Sequence, residues 1–268
     1  MQHRRTFKYM IFCIVLTATA ASTLIILAPE GQRYSTILLS LIVTGSIASG
    51  LGIVALCRHG IHGIHGKSYL FLTVGLIMWL SADFTLAYYY FMFGIEEQKL
   101  VSIADFFWVS GYFFLCLHLV TTIKLSKNKI NFKIIVIPSI GTSILIIVNI
   151  LALTPKEFQS EEYLAAYILT ILYPILDLSL IIPSILILIN FRKDYEHSIP
   201  WILSSFSLLI NAIADDGYVH DFVNNSFHNL WFWDIFYVTD FIIMAGALFW
   251  INRFEITNTL TRHDDSQE

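Results

Sequence analysis

Seven aspartates lie in stretches of this sequence that are otherwise apolar: Asp83, Asp105, Asp177, Asp215, Asp216, Asp234 and Asp240. No lysine or arginine lies deep in the same stretches to pair with them. An ionised carboxylate near the middle of a bilayer costs about 2.5–3.5 kcal/mol on insertion scales, so such groups are kept where they face a bundle interior or a water-filled cavity. Large rings accompany them at helical spacing. Trp79 precedes Asp83 by four residues and Tyr173 precedes Asp177 by four; Trp108 and Tyr112 follow Asp105 by three and seven, and Tyr237 follows Asp234 by three. Positions three, four and seven apart share a helix face. A carboxylate beside a ring suits an amphipathic or cationic small ligand, through charge pairing and cation–π contact. The ligand-binding candidates are Asp83, Asp105, Trp108, Tyr112, Tyr173, Asp177, Asp216, Tyr218, Asp234, Tyr237 and Asp240. The same side chains can instead glue helices together through buried hydrogen bonds, with some carboxylates protonated.

Other chemistry is weakly signalled. Asp216 and His220 are four residues apart and His228 is near them, a workable start for a divalent-ion site, although loop histidines without a metal have the same appearance. His59, His62 and His65 fall in R-H-G-I-H-G-I-H-G-K (Arg58–Lys67), which reads as a flexible cationic loop. His118 stands alone in an apolar run and reads as a hydrogen-bonded packing residue. There is no H-E-x-x-H, G-x-S-x-G, P-loop or dinucleotide fingerprint, so enzyme signatures are weak, and the alternative of an intramembrane hydrolase built from aspartate and histidine requires the outward acids to meet His118, which sits towards the other side. No cofactor is implied, and a retinal pigment is disfavoured because no helix core holds a lysine for the Schiff base. Cys13, Cys57 and Cys116 lack metal or redox spacing and read as buried small apolar residues.

The elements that must position these groups follow from composition. The 268 residues are 56% hydrophobic and only 13% charged, with a mean hydropathy of +0.69. Soluble domains usually carry about 25% charged residues, so lipid must cover much of this surface. The expected fold is an all-α polytopic membrane bundle of about eight transmembrane helices. The spans run approximately Tyr9–Leu27, Ser35–Cys57, Ser68–Phe93, Val101–Leu125, Ile134–Leu153, Tyr163–Phe191, Pro200–Val219 and Asn229–Ile251. Residues 1–251 form one bundle domain, and 252–268 form a short polar tail expected to be disordered. The basic start Met1–Lys8 and the small residues Ala18–Ala21 are like a secretory signal, but the apolar run continues to Leu27 and reads as a retained anchor.

Thirteen of the sixteen basic residues fall on one side of these spans. Only Arg33, Lys99 and Lys156 fall on the other. The positive-inside rule then places both termini in the cytoplasm of a cell whose plasma membrane holds the bundle. At about 1.5 Å per residue, Asp83, Asp105, Asp215, Asp216 and Asp234 lie in the outer half and Asp177 and Asp240 near the midplane. The pocket they imply opens outward. Spans one, two and five carry no charge in their cores and read as scaffold. In span two, Ser46-x-x-x-Gly50 and Ala48-x-x-x-Gly52 have the spacing that lets helices approach closely. Tyr88, Tyr89, Tyr90, Trp231 and Trp233 read as interfacial belt residues. Nothing suggests nucleic-acid binding.

Four stretches carry a resemblance: A-D-F-F-W-V-S-G-Y (Ala104–Tyr112), Y-P-I-L-D-L-S-L (Tyr173–Leu180), A-D-D-G-Y (Ala214–Tyr218) and W-D-I-F-Y-V-T-D (Trp233–Asp240). Their order and spacing resemble the multi-helix membrane input regions found ahead of diguanylate cyclase, phosphodiesterase or histidine kinase domains in microbial signalling proteins. The resemblance covers roughly residues 68–250 and implies a sensory role. By position it matches Asp105, Trp108, Tyr112, Tyr173, Pro174, Asp177, Asp216, Tyr218, Asp234 and Asp240 to the recurring positions of that family. No output domain follows, so a sensor of this kind would signal through a separate cytoplasmic protein. Pro174 and Pro183 allow a kink that could move. The competing expectations are a small secondary transporter or proton-coupled carrier, and a structural or assembly subunit of a membrane complex.

Overall fold

Each unpaired backbone N–H or C=O costs several kcal/mol in hydrocarbon, so apolar runs of this length satisfy their backbone internally as helices. A computed structural model describes residues 2–94, 102–124, 161–191, 195–223 and 230–255, together with Val136, Ile140, Ser143, Ile144 and Ile147. Seven helices are present among them: α1 (Gln2–Leu27), α2 (Glu30–His59), α3 (Gly63–Phe93), α4 (Ile103–Ile123), α5 (Glu161–Phe191), α6 (Tyr195–Val223) and α7 (Trp231–Trp250). All seven are long and apolar enough to cross a membrane, the build of a multi-pass membrane protein. The expected span Ile134–Leu153 lies outside the described residues apart from the five isolated positions, which are helical. The π-helical turn Ile251–Glu255 extends α7 into the expected tail, and residues 256–268 lie outside the description.

Side-chain contacts fix the relative directions. Leu80 and Thr73 of α3 meet Gly45 and Gly52 of α2, so these two helices are antiparallel. Trp79 meets Gly111 while Ser68 meets His118, so α3 and α4 are antiparallel as well. Tyr173 pairs with Asp105 and Asp177 with Tyr112, so α4 and α5 run parallel. Along α6, Asp215 meets Tyr237 and Ser207 meets Asp240, making α6 and α7 antiparallel. Phe241 packs at Gly45 and Asn252 reaches the Leu51 carbonyl, so α7 runs parallel to α2 and closes the bundle against it. Helix α1 touches α7 through Ile14 at Gly246 and Phe7 at Trp250 and is otherwise largely exposed.

Of the two small-residue pairs in α2, one is used. Ala48 is fully buried and a Cβ on Gly52 would come 2.9 Å from Thr73 Oγ1, whereas Ser46 and Gly50 lie on an exposed face. The histidine-glycine stretch is a tight turn rather than a long loop. Gly60 and Gly63 have φ of 78° and 71°, and a Cβ on Gly66 would sit 2.6 Å from the Gly60 carbonyl oxygen. Only glycine adopts the left-handed region freely, and this lets α3 begin at Gly63. At the same end of the bundle, Arg58 donates to the Asn252 carbonyl. The Asn252 amide donates to Leu51 and Leu248 carbonyls, at 2.9 Å each.

Candidate functional site

Four helices bring polar side chains together at one end of the bundle. Asp105 sits in the first turn of α4, where its Oδ2 accepts the Ser102 backbone N–H at 2.8 Å and so closes a capping box. Its other oxygen accepts the Tyr173 hydroxyl of α5 at 2.7 Å. Two turns along α4, the Tyr112 hydroxyl lies 2.6 Å from Asp177 Oδ1 of α5 and also against Asp215 Oδ2 of α6. Tyr237 of α7 donates to Asp215 Oδ1, and Asn211 Nδ2 donates to Asp215 Oδ2 at 3.0 Å. Asp215 is thus the hub joining α4, α6 and α7. The ligand-binding candidates read from sequence did not include it, nor its neighbour Asn211.

Proton counting constrains the hub. A tyrosine hydroxyl has one proton to donate. For both of its contacts to be hydrogen bonds, the proton of the second must come from a carboxyl group. Asp177 and Asp215 both lie against the Tyr112 hydroxyl, and two carboxylates this close do not both stay ionised unless a cation joins them. Among the described residues no lysine or arginine forms an ion pair with either. Arg33, the basic residue described at this end, lies with its guanidinium 4.7 Å from the centre of the Trp231 ring instead. The second oxygen of Asp177 is buried and has no hydrogen-bond partner in the structure.

The remaining candidates surround this hub or lie deeper. Asp240 of α7 is buried, with Oδ1 accepting the Ser207 hydroxyl and Oδ2 unpartnered. Asp83 of α3 is buried with its Oδ2 unpartnered. Asp216 is half-buried next to Asp215 in the chain, with Oδ1 unpartnered. Tyr218 is half-buried on α6. Trp108 contributes its backbone carbonyl, which accepts the Trp79 indole N–H at 3.2 Å. Trp79 then lays its ring edge-on to Tyr112, with centroids 5.4 Å apart. His220 Nδ1 lies 3.5 Å from Asp221 Oδ1, and His228 lies outside the described residues. Among the described residues no three His, Cys, Asp or Glu side chains are grouped to hold a metal. Of the residues read as belt, Trp233 donates to Asp221 at 2.8 Å and covers Gly217.

Gly111 makes room for this arrangement. A Cβ there would lie 2.3 Å from Trp79 Cδ1. Gly111→Ala is expected to destabilise by about 1–3 kcal/mol through overpacking, and to displace the ring that backs Tyr112. Thermal melting in detergent checks this: an unshifted midpoint would show that Trp79 relocates freely.

A second polar cluster occupies the opposite end. His118 is fully buried, its Nδ1 2.9 Å from Ser68 Oγ, and Ser68 Oγ is 3.0 Å from Thr122 Oγ1. The His118 ring stacks on Trp201 at 6.2 Å, and Trp201 stacks in turn on Tyr69 at 5.7 Å. His65 and His59 flank Tyr69. Of the three histidines read as a flexible loop, His59 and His65 are therefore packed side chains, because the glycine turn folds them back onto α3, while His62 is exposed. His118 Nε2 and the Nδ1 atoms of His59 and His65 are buried without hydrogen-bond partners.

No family model, curated protein or solved structure matches this chain.

Proposed function

We propose that the chain crosses the plasma membrane eight times with both termini in the cytoplasm, and that its outward-facing carboxylate end binds a small organic cation as a sensory input. The observation that carries this reading is the Asp177–Asp215 pair, joined by one tyrosine hydroxyl with no lysine or arginine partner among the described residues and with one buried oxygen unused. An ammonium or amidinium group satisfies both carboxylates at once, and the neighbouring rings of Tyr112, Tyr173 and Trp79 suit its cationic and apolar parts. The parallel course of α4 and α5 supports the crossing number, since Ile123 and Glu161 then lie at opposite ends of the bundle. The basic-residue asymmetry supports the orientation. The resemblance to microbial sensory input regions supports signalling to a separate cytoplasmic protein, with the histidine end as the readout face.

The test is a melting-temperature panel on purified protein with aromatic and aliphatic amines, quaternary ammonium compounds and matched neutral or anionic analogues. Selective stabilisation by cations, lost in Tyr112→Phe and Asp215→Asn, is the expected result. Equal response to neutral analogues, or none to any cation, would sink the reading. A proton-coupled carrier is the second reading, favoured by the buried polar side chains that continue below Asp215 on α6.

A further inference from the structure

Helix α6 carries polar residues along one face through the centre of an otherwise apolar bundle. Asp215, Asn211, Ser207 and Ser204 succeed one another at spacings of four, four and three residues, and Trp201 follows three further on. Such spacing keeps all of them on one stripe. Asn211, Ser207 and Ser204 are buried. A transmembrane helix needs no such series for its own stability, and polar groups at this depth are retained where they meet a partner or water.

The stripe has a defined station at each level. At its upper end Asn211 holds Asp215 at 3.0 Å. One turn below, Ser207 holds Asp240 of α7. With Asp177 level with Asp215, and α5 antiparallel to α6, Ser184 comes level with the interval between Asn211 and Ser204. Ser184 Oγ is fully buried without a hydrogen-bond partner, and so is Ser205 Oγ on the flank of the stripe. At the lower end Trp201 stacks on His118, whose Nε2 is likewise buried and unpartnered. From Ser207 to Trp201 is about 9 Å along the axis, a gap that two or three waters span. Buried polar atoms without protein partners are where internal water is held.

We propose that this stripe is a hydrated proton path joining the carboxylate end of the bundle to its histidine end. A proton taken up from the outside protonates the Asp177–Asp215 pair. Water then passes it to Asp240, with the serine hydroxyls each accepting one proton as they donate another. His118 receives it on Nε2 and releases one from Nδ1 through Ser68 and Thr122, which lead to the last turn of α4. One proton enters for each one released, so charge and atoms balance and no other reactant is needed. The path is independent of the organic cation, although it begins at the same carboxylates.

The experiment uses the full chain in liposomes loaded with a pH-sensitive dye, with a potassium gradient and valinomycin to set the potential and no organic amine present. Wild-type vesicles are expected to change internal pH faster than protein-free vesicles. Asp240→Asn and His118→Gln, each checked for folding by its melting curve, are expected to slow that change roughly a hundredfold, as for loss of a positioned proton-transfer group. Wild-type vesicles no faster than protein-free ones overturn the proposal, as does wild-type conduction by either folded variant. Cation binding that persists while flux is absent removes the path alone. Flux that persists while no cation binds removes the sensory reading alone.

Discussion

Asp177→Asn is expected to melt higher than the wild-type protein and, where the proposed site holds, to bind organic cations about a hundredfold more weakly. The two effects have one cause. Asp177 Oδ1 lies 2.6 Å from the Tyr112 hydroxyl, while Oδ2 is buried without a hydrogen-bond partner next to Asp215. Asparagine with its amide nitrogen in the place of Oδ1 donates to the Tyr112 oxygen, and Tyr112 then gives its one proton to Asp215 Oδ2, so the three groups need neither a shared carboxyl proton nor a cation. A hydrogen bond to a charged group contributes about 1.5–3 kcal/mol in soluble proteins, and side-chain hydrogen bonds within membranes average nearer 0.6. A gain of about 1 kcal/mol is expected, which raises the melting temperature by roughly 2–4 °C for a chain of this size. Removing one of two carboxylates from a buried ammonium site weakens binding by about a hundredfold, since 1.4 kcal/mol corresponds to a factor of ten. Calorimetry and amine titration measure both. A lower melting temperature would mean that the Asp177 carboxylate holds the helices together, which favours the helix-glue reading over a site kept ready for a ligand.

Asp215→Ala has the opposite effect on stability. It removes the acceptor for Tyr237 and Asn211 and one of the two contacts of Tyr112, leaving donors of α6 and α7 without a partner in a low-dielectric interior while Tyr112 keeps Asp177. Loss of these bonds is expected to cost about 2–4 kcal/mol, since an orphaned buried donor keeps its full desolvation penalty. The melting temperature falls by roughly 5–10 °C at the per-kilocalorie scale for such chains. A variant melting within a degree of wild type would show that α6 and α7 do not depend on this hub. The two substitutions differ although both remove a carboxylate from the same pair. Asp215 accepts from three donors, whereas Asp177 has one accepting oxygen in use and one idle.

Much of this is legible in the amino-acid sequence. Apolar runs of about twenty residues have one solution in hydrocarbon, and seven of the eight expected spans are helices here. The i,i+4 and i,i+3 pairs of acids and rings placed most of the candidate residues on inward faces, because helical periodicity is local. Ser102-x-x-Asp105 was a readable capping signature, and it gives Asp105 a local role beside the contact with Tyr173. Asp215 could not be ranked above Asp216 from the chain alone. Adjacent residues on a helix point about 100° apart, and which one meets Tyr112 and Tyr237 depends on how α6 is rotated against α4 and α7.

The amino-acid sequence by itself determined that this is a helical membrane protein with acids and aromatics sharing helix faces, because hydropathy and spacing act within one helix at a time. Tertiary structure decided which of those groups meet. Trp79 in the space left by Gly111 backs Tyr112 against the Asp177–Asp215 pair, and the Gly60–Gly66 turn folds two histidines onto Tyr69. These are distances between residues far apart in the chain. They follow from how small residues let helices approach and rotate, which no single helix encodes.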